Sequence, residues 1–218
     1  MLRTDTAHHA WDKRGQSPEG RQDWLAPEAD VADCARAAHA RGGRLALDLG
    51  CGVGRHALLL AEQGWETQAL DGSASGIAHL KREAEARRLS IAAETGLMTD
   101  LPFEAAAFDY VLAFNVIYHG DHGIVERTVS EVRRVLKPHG IFQCTLLSKR
   151  NQNYGKGREV APDSFVIDDV DDKDHPHFYC DAAGALGLLQ GFEIMELADR
   201  LHRKPGSWHW HVVAERLS

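Results

Sequence analysis

The stretch Leu47-Asp48-Leu49-Gly50-Cys51-Gly52-Val53-Gly54-Arg55-His56 restricts the folding of this chain more than any other. Residues 45–49 are apolar apart from Asp48 and have the length of a buried strand. Residues 55–63 place Ala57, Leu58, Leu60 and Ala61 at helical spacing. Gly50, Gly52 and Gly54 fill the joint between them. Alternate glycines make a bend with no side chains in the way. At the carboxyl end of a strand in an open α/β sheet, such a bend lets backbone come close to a ligand. The remainder of the chain must then supply the sheet.

It does so by alternation. Residues 28–41 carry Val31, Cys34, Ala35 and Ala38 at helical spacing and stop at Gly42-Gly43, so a helix precedes the first strand. A second strand over 66–70 ends at Asp71-Gly72, after which Ser73 can cap a helix that turns Ile77, Leu80 and Ala84 inward. Residues 91–94 form a weak third strand. Residues 108–114 are almost wholly apolar, as a strand buried on both faces must be. Helix 123–136 buries Ile124, Val125, Val129, Val132 and Leu136, Lys137-Pro138-His139-Gly140 turns the chain, and 141–147 reads as a fifth strand. A helix over 181–190 and strands over 192–197 and 208–215 follow, the strands joined through the Pro205-Gly206 turn and so antiparallel. This order predicts a doubly wound α/β sheet with helices on both faces. The chain divides into an N-terminal cap and helix (1–43), a core (44–147), a polar segment long enough for a substrate lid (148–180) and a C-terminal helix with antiparallel strands (181–218), all within one domain.

With 218 residues, 44% of them hydrophobic, the chain can bury one full core. A formal net charge of −7 and the lack of any Lys/Arg run argue against nucleic acid as a partner. The first residues contain no apolar stretch of an export signal, and no run approaches the ~18 apolar residues that span a bilayer. A cytoplasmic protein with no membrane partner is expected, as a monomer or homodimer. Cys34, Cys51, Cys144 and Cys180 are scattered without close pairs, which suits a reducing compartment, and read as small apolar fillers.

Asp71 ends the second strand, where a carboxylate can accept hydrogen bonds from both hydroxyls of an adenosine ribose. A dinucleotide fingerprint needs G-x-G-x-x-G, but the position three after Gly52 is Arg55. An alternating glycine loop behind Asp48 suits a ligand with cationic groups and no phosphate, since the carboxylate would repel a pyrophosphate. S-adenosylmethionine, with its ammonium and sulfonium, meets that description.

These residues resemble a known family. "LDLGCGVGRHALLLAEQGWETQALDGS", "LPFEAAAFDYVLAFNVIYH" and "LKPHGIF" are similar to the class I S-adenosylmethionine-dependent methyltransferases over residues 44–147, and within them to the tellurite-resistance-type and related small-molecule methyltransferases. The resemblance implies a Rossmann-like seven-stranded sheet whose last strand is antiparallel, and methyl transfer to a small-molecule acceptor. By position it implies that Asp48, Gly50, Cys51, Gly52 and Gly54 line the methionine and ribose, that Asp71 takes the ribose hydroxyls and that Gly72 and Ser73 meet the adenine edge. Asn115 and Val116 would lie beneath the methionine moiety. Where many relatives place an acidic residue for the adenine amine, this chain has Leu97 and Met98, leaving backbone groups or Asp100 for that task.

Tyr118 and His119 follow the fourth strand on the side where an acceptor enters, and either can take its proton as the methyl group moves. His175/His177 and His209/His211 are pairs two residues apart, a spacing that can share a metal ion. Nothing in the sequence makes the pairs converge, so no metal site is assigned. The acidic run 168–175 lacks the glycine and final glutamate of a calcium loop and reads as solvated surface. Tyr154, Lys156, Arg158 and Phe165 make 148–180 the candidate lid, and Trp11 and Trp24 can close the cofactor site from the N-terminal side. Two other readings remain: an NAD(P)-dependent oxidoreductase on a similar sheet, against which the missing third glycine speaks, and a non-catalytic cofactor-binding partner domain.

Overall fold

The computed structural model describes residues 6–22, 24–168, 174–202 and 204–218. Five parallel strands, β1 (Leu45–Leu49), β2 (Glu66–Asp71), β3 (Ile91–Thr95), β4 (Phe108–Ala113) and β5 (Leu136–Ser148), lie in the order β3-β2-β1-β4-β5. The chain winds outward from β1 to β3, then crosses back to lay β4 against the other edge of β1. A crevice opens at such a reversal, beyond the carboxyl ends of the strands. On the far side, β10 (Trp208–Arg216) runs antiparallel between β5 and β9 (Phe192–Leu201), completing seven strands. The expected Rossmann-like architecture with its antiparallel last strand is present.

Alternation along the strands builds two layers. Leu47 and Leu49 of β1 and Val111 and Ala113 of β4 share a core with α6 (His122–Val135) and α7 (Ala182–Leu188). Their neighbours Ala46, Tyr110 and Leu112 pack with α3 (Ala29–Ala40) on the opposite face. A third cluster joins α4 (Arg55–Glu62) and α5 (Ala74–Arg87) over β2. Ser73 caps α5 as expected, its hydroxyl accepting from the Gly76 amide at 3.1 Å. No helix among the described residues is long and apolar enough to cross a membrane.

Three local expectations are revised. Residues 137–140 do not separate α6 from a later strand: β5 begins at Leu136, and the turn is absorbed as a kink with His139 at φ +64° and a register shift opposite Phe108 to Tyr110. β9 continues four residues past its expected end, because β10 offers it partners as far as Leu201. The segment 148–180 contains β6 (Arg158–Ala161), β7 (Ser164–Val166) and β8 (His177–Cys180), of which β6 pairs with β7 and β7 with β8. Tyr179 and Cys180 of β8 pair in parallel with Leu147 and Ser148 of β5. β10 holds one edge of β5 there, through His209 opposite Leu147. β8 therefore takes the other edge, the slot that β4 leaves free after Ala113 pairs with Cys144.

The N-terminal segment docks by polar contacts. In α1 (Ala7–Gly15), Asp12 accepts from the Ser73 hydroxyl at 3.1 Å and from the Ser75 amide at 2.8 Å, while the Ser75 hydroxyl donates to the Asp12 carbonyl at 2.7 Å. The helix is thereby pinned over the β2–α5 connection, and α2 (Pro18–Gln22) follows it.

Candidate cofactor site

The glycine bend has the conformation its composition permits. Gly50, Gly52 and Gly54 have φ of +68°, +54° and +90°, values that residues with a Cβ rarely adopt. Space adds a second demand at Gly50, where a Cβ would stand 2.1 Å from Val116 Cγ2. Opposite the bend, Asp71 accepts from the Gly52 amide and the Ser73 amide, each at 2.7 Å. Burial raises its pKa, while these two backbone donors, and then the nearby His8, favour the charged form. Two amides occupy half of the roughly four acceptor sites of a carboxylate, so the rest can serve ribose hydroxyls.

A cavity enclosing about 1160 Å³ of free space, counting its open mouth, lies at the topological switch between β1 and β4. Of the residues singled out from the sequence, Gly50, Cys51, Gly52, Asp71, Gly72, Ser73, Met98, Asn115, Val116 and His119 are on its wall. Asp48, Gly54 and Tyr118 are not. Asp48 points from the strand into the protein, and burial lifts its pKa to about 7 against the opposing pull of Arg55 and the Ala57 amide. Gly54 turns the chain into α4, where Leu80 would meet any Cβ at 2.3 Å. Tyr118 is buried in a cluster with Leu147 and Tyr179. None of Tyr154, Lys156, Arg158 and Phe165 lines the cavity either; Tyr154 instead donates to Asp163 at 2.8 Å, and its ring and that of Phe165 pack on Tyr179.

Trp11 and Trp24 do reach the wall, edge to face with ring centres 5.2 Å apart. Further wall residues escaped the sequence reading, His8, Arg55 and His56 among them. His8 covers Gly72, where a Cβ would lie 2.4 Å from the His8 Cβ. Arg55, buried, donates to the Ala26 carbonyl and to Glu28, both at 3.2 Å, and lies 5.5 Å from the Trp24 ring. His56 accepts from the Glu28 amide at 3.3 Å. The position of Arg55 and His56 directly after the glycines was a usable signal; nothing local marks His8.

Beyond β4, Asn115 takes φ +59°, a left-handed turn that asparagine tolerates. Its amide donates to the Thr145 hydroxyl at 2.8 Å, the Thr145 hydroxyl donates to its side-chain oxygen at 3.1 Å, and its side-chain nitrogen meets His202 Nε2 at 3.1 Å. His119 lies on the wall just after, and the edge of Trp11 approaches it at 5.8 Å between ring centres.

A glycine bend and a strand-end carboxylate at the switch of such a sheet can hold a nucleoside, and a methyltransferase-domain family model matches residues 46–140. Residues 46–140 of the chain thus carry a methyltransferase domain similar to those of the S-adenosylmethionine-dependent methyltransferases. It is 34% identical over 171 residues to a probable S-adenosylmethionine-dependent methyltransferase of Mycolicibacterium smegmatis, an alignment that takes in 77% of this chain and 59% of that protein. The chain thus spans less than two thirds of that relative. In fold it is similar to the 1,6-didemethyltoxoflavin N1-methyltransferase of Burkholderia thailandensis, with a TM-score of 0.70 and 19% identity over 100% of this chain and 92% of that one. It is also similar to TehB of Haemophilus influenzae, with a TM-score of 0.67 and 16% identity over 93% and 67%.

Proposed function

We propose that this protein transfers the methyl group of S-adenosylmethionine to a nucleophilic atom of a small-molecule acceptor. The observation that carries the reading is the pairing of the bare Gly50–Gly52 backbone with the half-buried Asp71 carboxylate on one cavity wall. The fit is chemical as well as steric. Backbone without side chains admits close approach at Gly52, where no atom lies within 4 Å of an added Cβ, and Asp71 offers acceptors for a ribose. Leu70, Leu97 and Met98 supply an apolar slot for a purine.

When bound, S-adenosylmethionine supplies a methyl group made electrophilic by the sulfonium. The chain's contribution is alignment. Holding two reactants in line can be worth about 7–11 kcal/mol of the barrier. Trp11, Trp24 and Phe114 narrow the cavity and exclude water, which favours a reaction that disperses charge. Of the two candidate catalytic residues, His119 is the one on the wall. Its Nε2 meets the Asn115 carbonyl at 3.2 Å and its Nδ1 meets His175 Nε2 at 2.9 Å, so a proton taken from an acceptor that brings one would be shared with His175. A small acceptor is supported by the cavity's size and by the cover that α1 provides. The four cysteines are free thiols, which fits a cytoplasmic setting.

Calorimetric titration with S-adenosylmethionine and S-adenosylhomocysteine tests the cofactor half of the reading. We expect binding of both, weakened by about 1–3 kcal/mol in Asp71→Ala, the cost of leaving buried hydroxyl groups without a partner. Formation of S-adenosylhomocysteine across a panel of thiols, amines, phenols and hydroxyl compounds tests the transfer half. No binding of either nucleoside would sink the proposal.

A further inference from the structure

Three histidines brought together beside the cofactor cavity are left unused by the glycine-loop chemistry. His119, His175 and His177 are 4%, 3% and 1% exposed, and one ligand nitrogen of each lies within 4.8 Å of the others. The cause is topological. β8 enters the slot beside β5, His177 makes an antiparallel bridge with His119, and the Phe178 amide donates to the Tyr118 carbonyl at 2.9 Å. His175 then falls 2.9 Å from His119, Nε2 to Nδ1.

The far nitrogen of each ring has an oxygen acceptor. His119 Nε2 meets the Asn115 carbonyl at 3.2 Å, His175 Nδ1 meets Asp174 at 3.3 Å and His177 Nδ1 meets the His175 carbonyl at 2.9 Å. Carbonyls and carboxylates accept, so these bonds place the ring protons on those nitrogens and leave lone pairs on His119 Nδ1, His175 Nε2 and His177 Nε2. Two lone pairs 2.9 Å apart repel unless a cation lies between them. Outer oxygens that fix the tautomer of each imidazole are the usual support of a metal-bound histidine.

We propose that His119, His175 and His177 bind one divalent transition-metal ion at the edge of the cofactor cavity. Three imidazoles suit zinc, iron, cobalt or nickel rather than magnesium or calcium. A four-coordinate ion with bonds of about 2.0–2.1 Å needs ligands about 3.3 Å apart, within reach of small ring rotations from the observed set. Three protein ligands leave a position open, and His119 lies on the cavity wall. If the methyl-transfer reading holds, that position selects an acceptor that can ligate a metal, such as a thiol or an acidic hydroxyl. Coordination releases the acceptor's proton to solvent, and the bound anion then forms the bond to the methyl carbon as the carbon–sulfur bond breaks and its electron pair returns to sulfur. His119 is then a ligand rather than a base.

The test uses the untagged full chain, stripped with chelator, loaded with cobalt(II) or zinc(II) and passed through a desalting column. One ion per chain is expected by elemental analysis, with the strong visible absorption of low-coordinate cobalt. His175→Gln and His177→Gln should each weaken cobalt binding by about 100-fold or more while thermal melting and S-adenosylhomocysteine binding stay as in the wild type. Should a variant melt early, imidazole ¹⁵N shifts of the wild type on adding zinc decide instead. Wild-type protein that retains neither ion, or variants that retain cobalt equally well, would overturn the proposal and leave a proton shared between His119 and His175. Metal binding without nucleoside binding would refute the methyltransferase reading and leave the metal site standing.

Discussion

Gly50 meets two independent demands, a left-handed φ of +68° and an approach that would put a Cβ 2.1 Å from Val116. Gly50→Ala is expected to destabilise the fold by about 1–3 kcal/mol through strain and overpacking and to abolish nucleoside binding. Chemical denaturation measures the first effect, and a Val116→Ala background should recover part of it, because the clash is relieved and the backbone strain is not. Asp48 presents a different problem, a buried carboxyl whose pKa is lifted to about 7. In the unfolded chain it titrates near 4. Between those values the folded state holds the extra proton, so stability should fall as pH rises from about 4 to about 7 and change no further through this group above that range. Asp48→Asn should flatten the slope in denaturation profiles taken across that range; an unchanged slope would show that Asp48 titrates normally.

At the scale of elements, α1 depends on one side chain. Asp12 takes two hydrogen bonds from the start of α5, and those bonds favour its charged form and lower its pKa. Without them, His8 and Trp11 lose their place over the cavity. Asp12→Ala is expected to speed proteolysis of the first 25 residues or so and to weaken S-adenosylhomocysteine binding by about 10-fold, with little change in global melting, since α1 adds few residues to the buried cores. Equal proteolysis of wild type and variant would refute this role. Binding of the nucleoside should slow cleavage in both. The same scale explains the segment expected as a lid. Its strands extend the sheet along an edge of β5, with His177 opening β8 and His175 just before it, while its Tyr154 and Phe165 pack against Tyr179.

For the whole molecule, the order β3-β2-β1-β4-β5 puts the carboxyl ends of four strands and the N-terminal helix around one crevice, so a ligand there touches segments distant in sequence. Such a ligand stabilises the fold as a unit. At 100 times its Kd, S-adenosylhomocysteine should contribute about 2.7 kcal/mol, or about 5–10 °C in Tm for a chain of this length. NAD and NADP should leave Tm unchanged, and a shift with either would revive the oxidoreductase reading. Much of this architecture was legible beforehand. The glycine bend, Asp71 and the cap at Ser73 are local features, since they depend on backbone freedom and on which residue ends a strand. Asp48, Gly54 and Tyr118 lie off the cavity wall, a placement adjacent sequence does not name because a side chain's direction depends on the pleat and on neighbours.

Hydrophobic period and glycine placement by themselves determined the elements of the parallel core and the bare bend at its switch, because each is a property of a few consecutive residues. The tertiary structure alone decided that β8 would fill the edge of β5 that β4 vacates, that α1 would cover Gly72, and that three histidines would meet beside the cavity. Those outcomes follow from register and from which strand edge is left unpaired, quantities that exist only once the sheet is assembled.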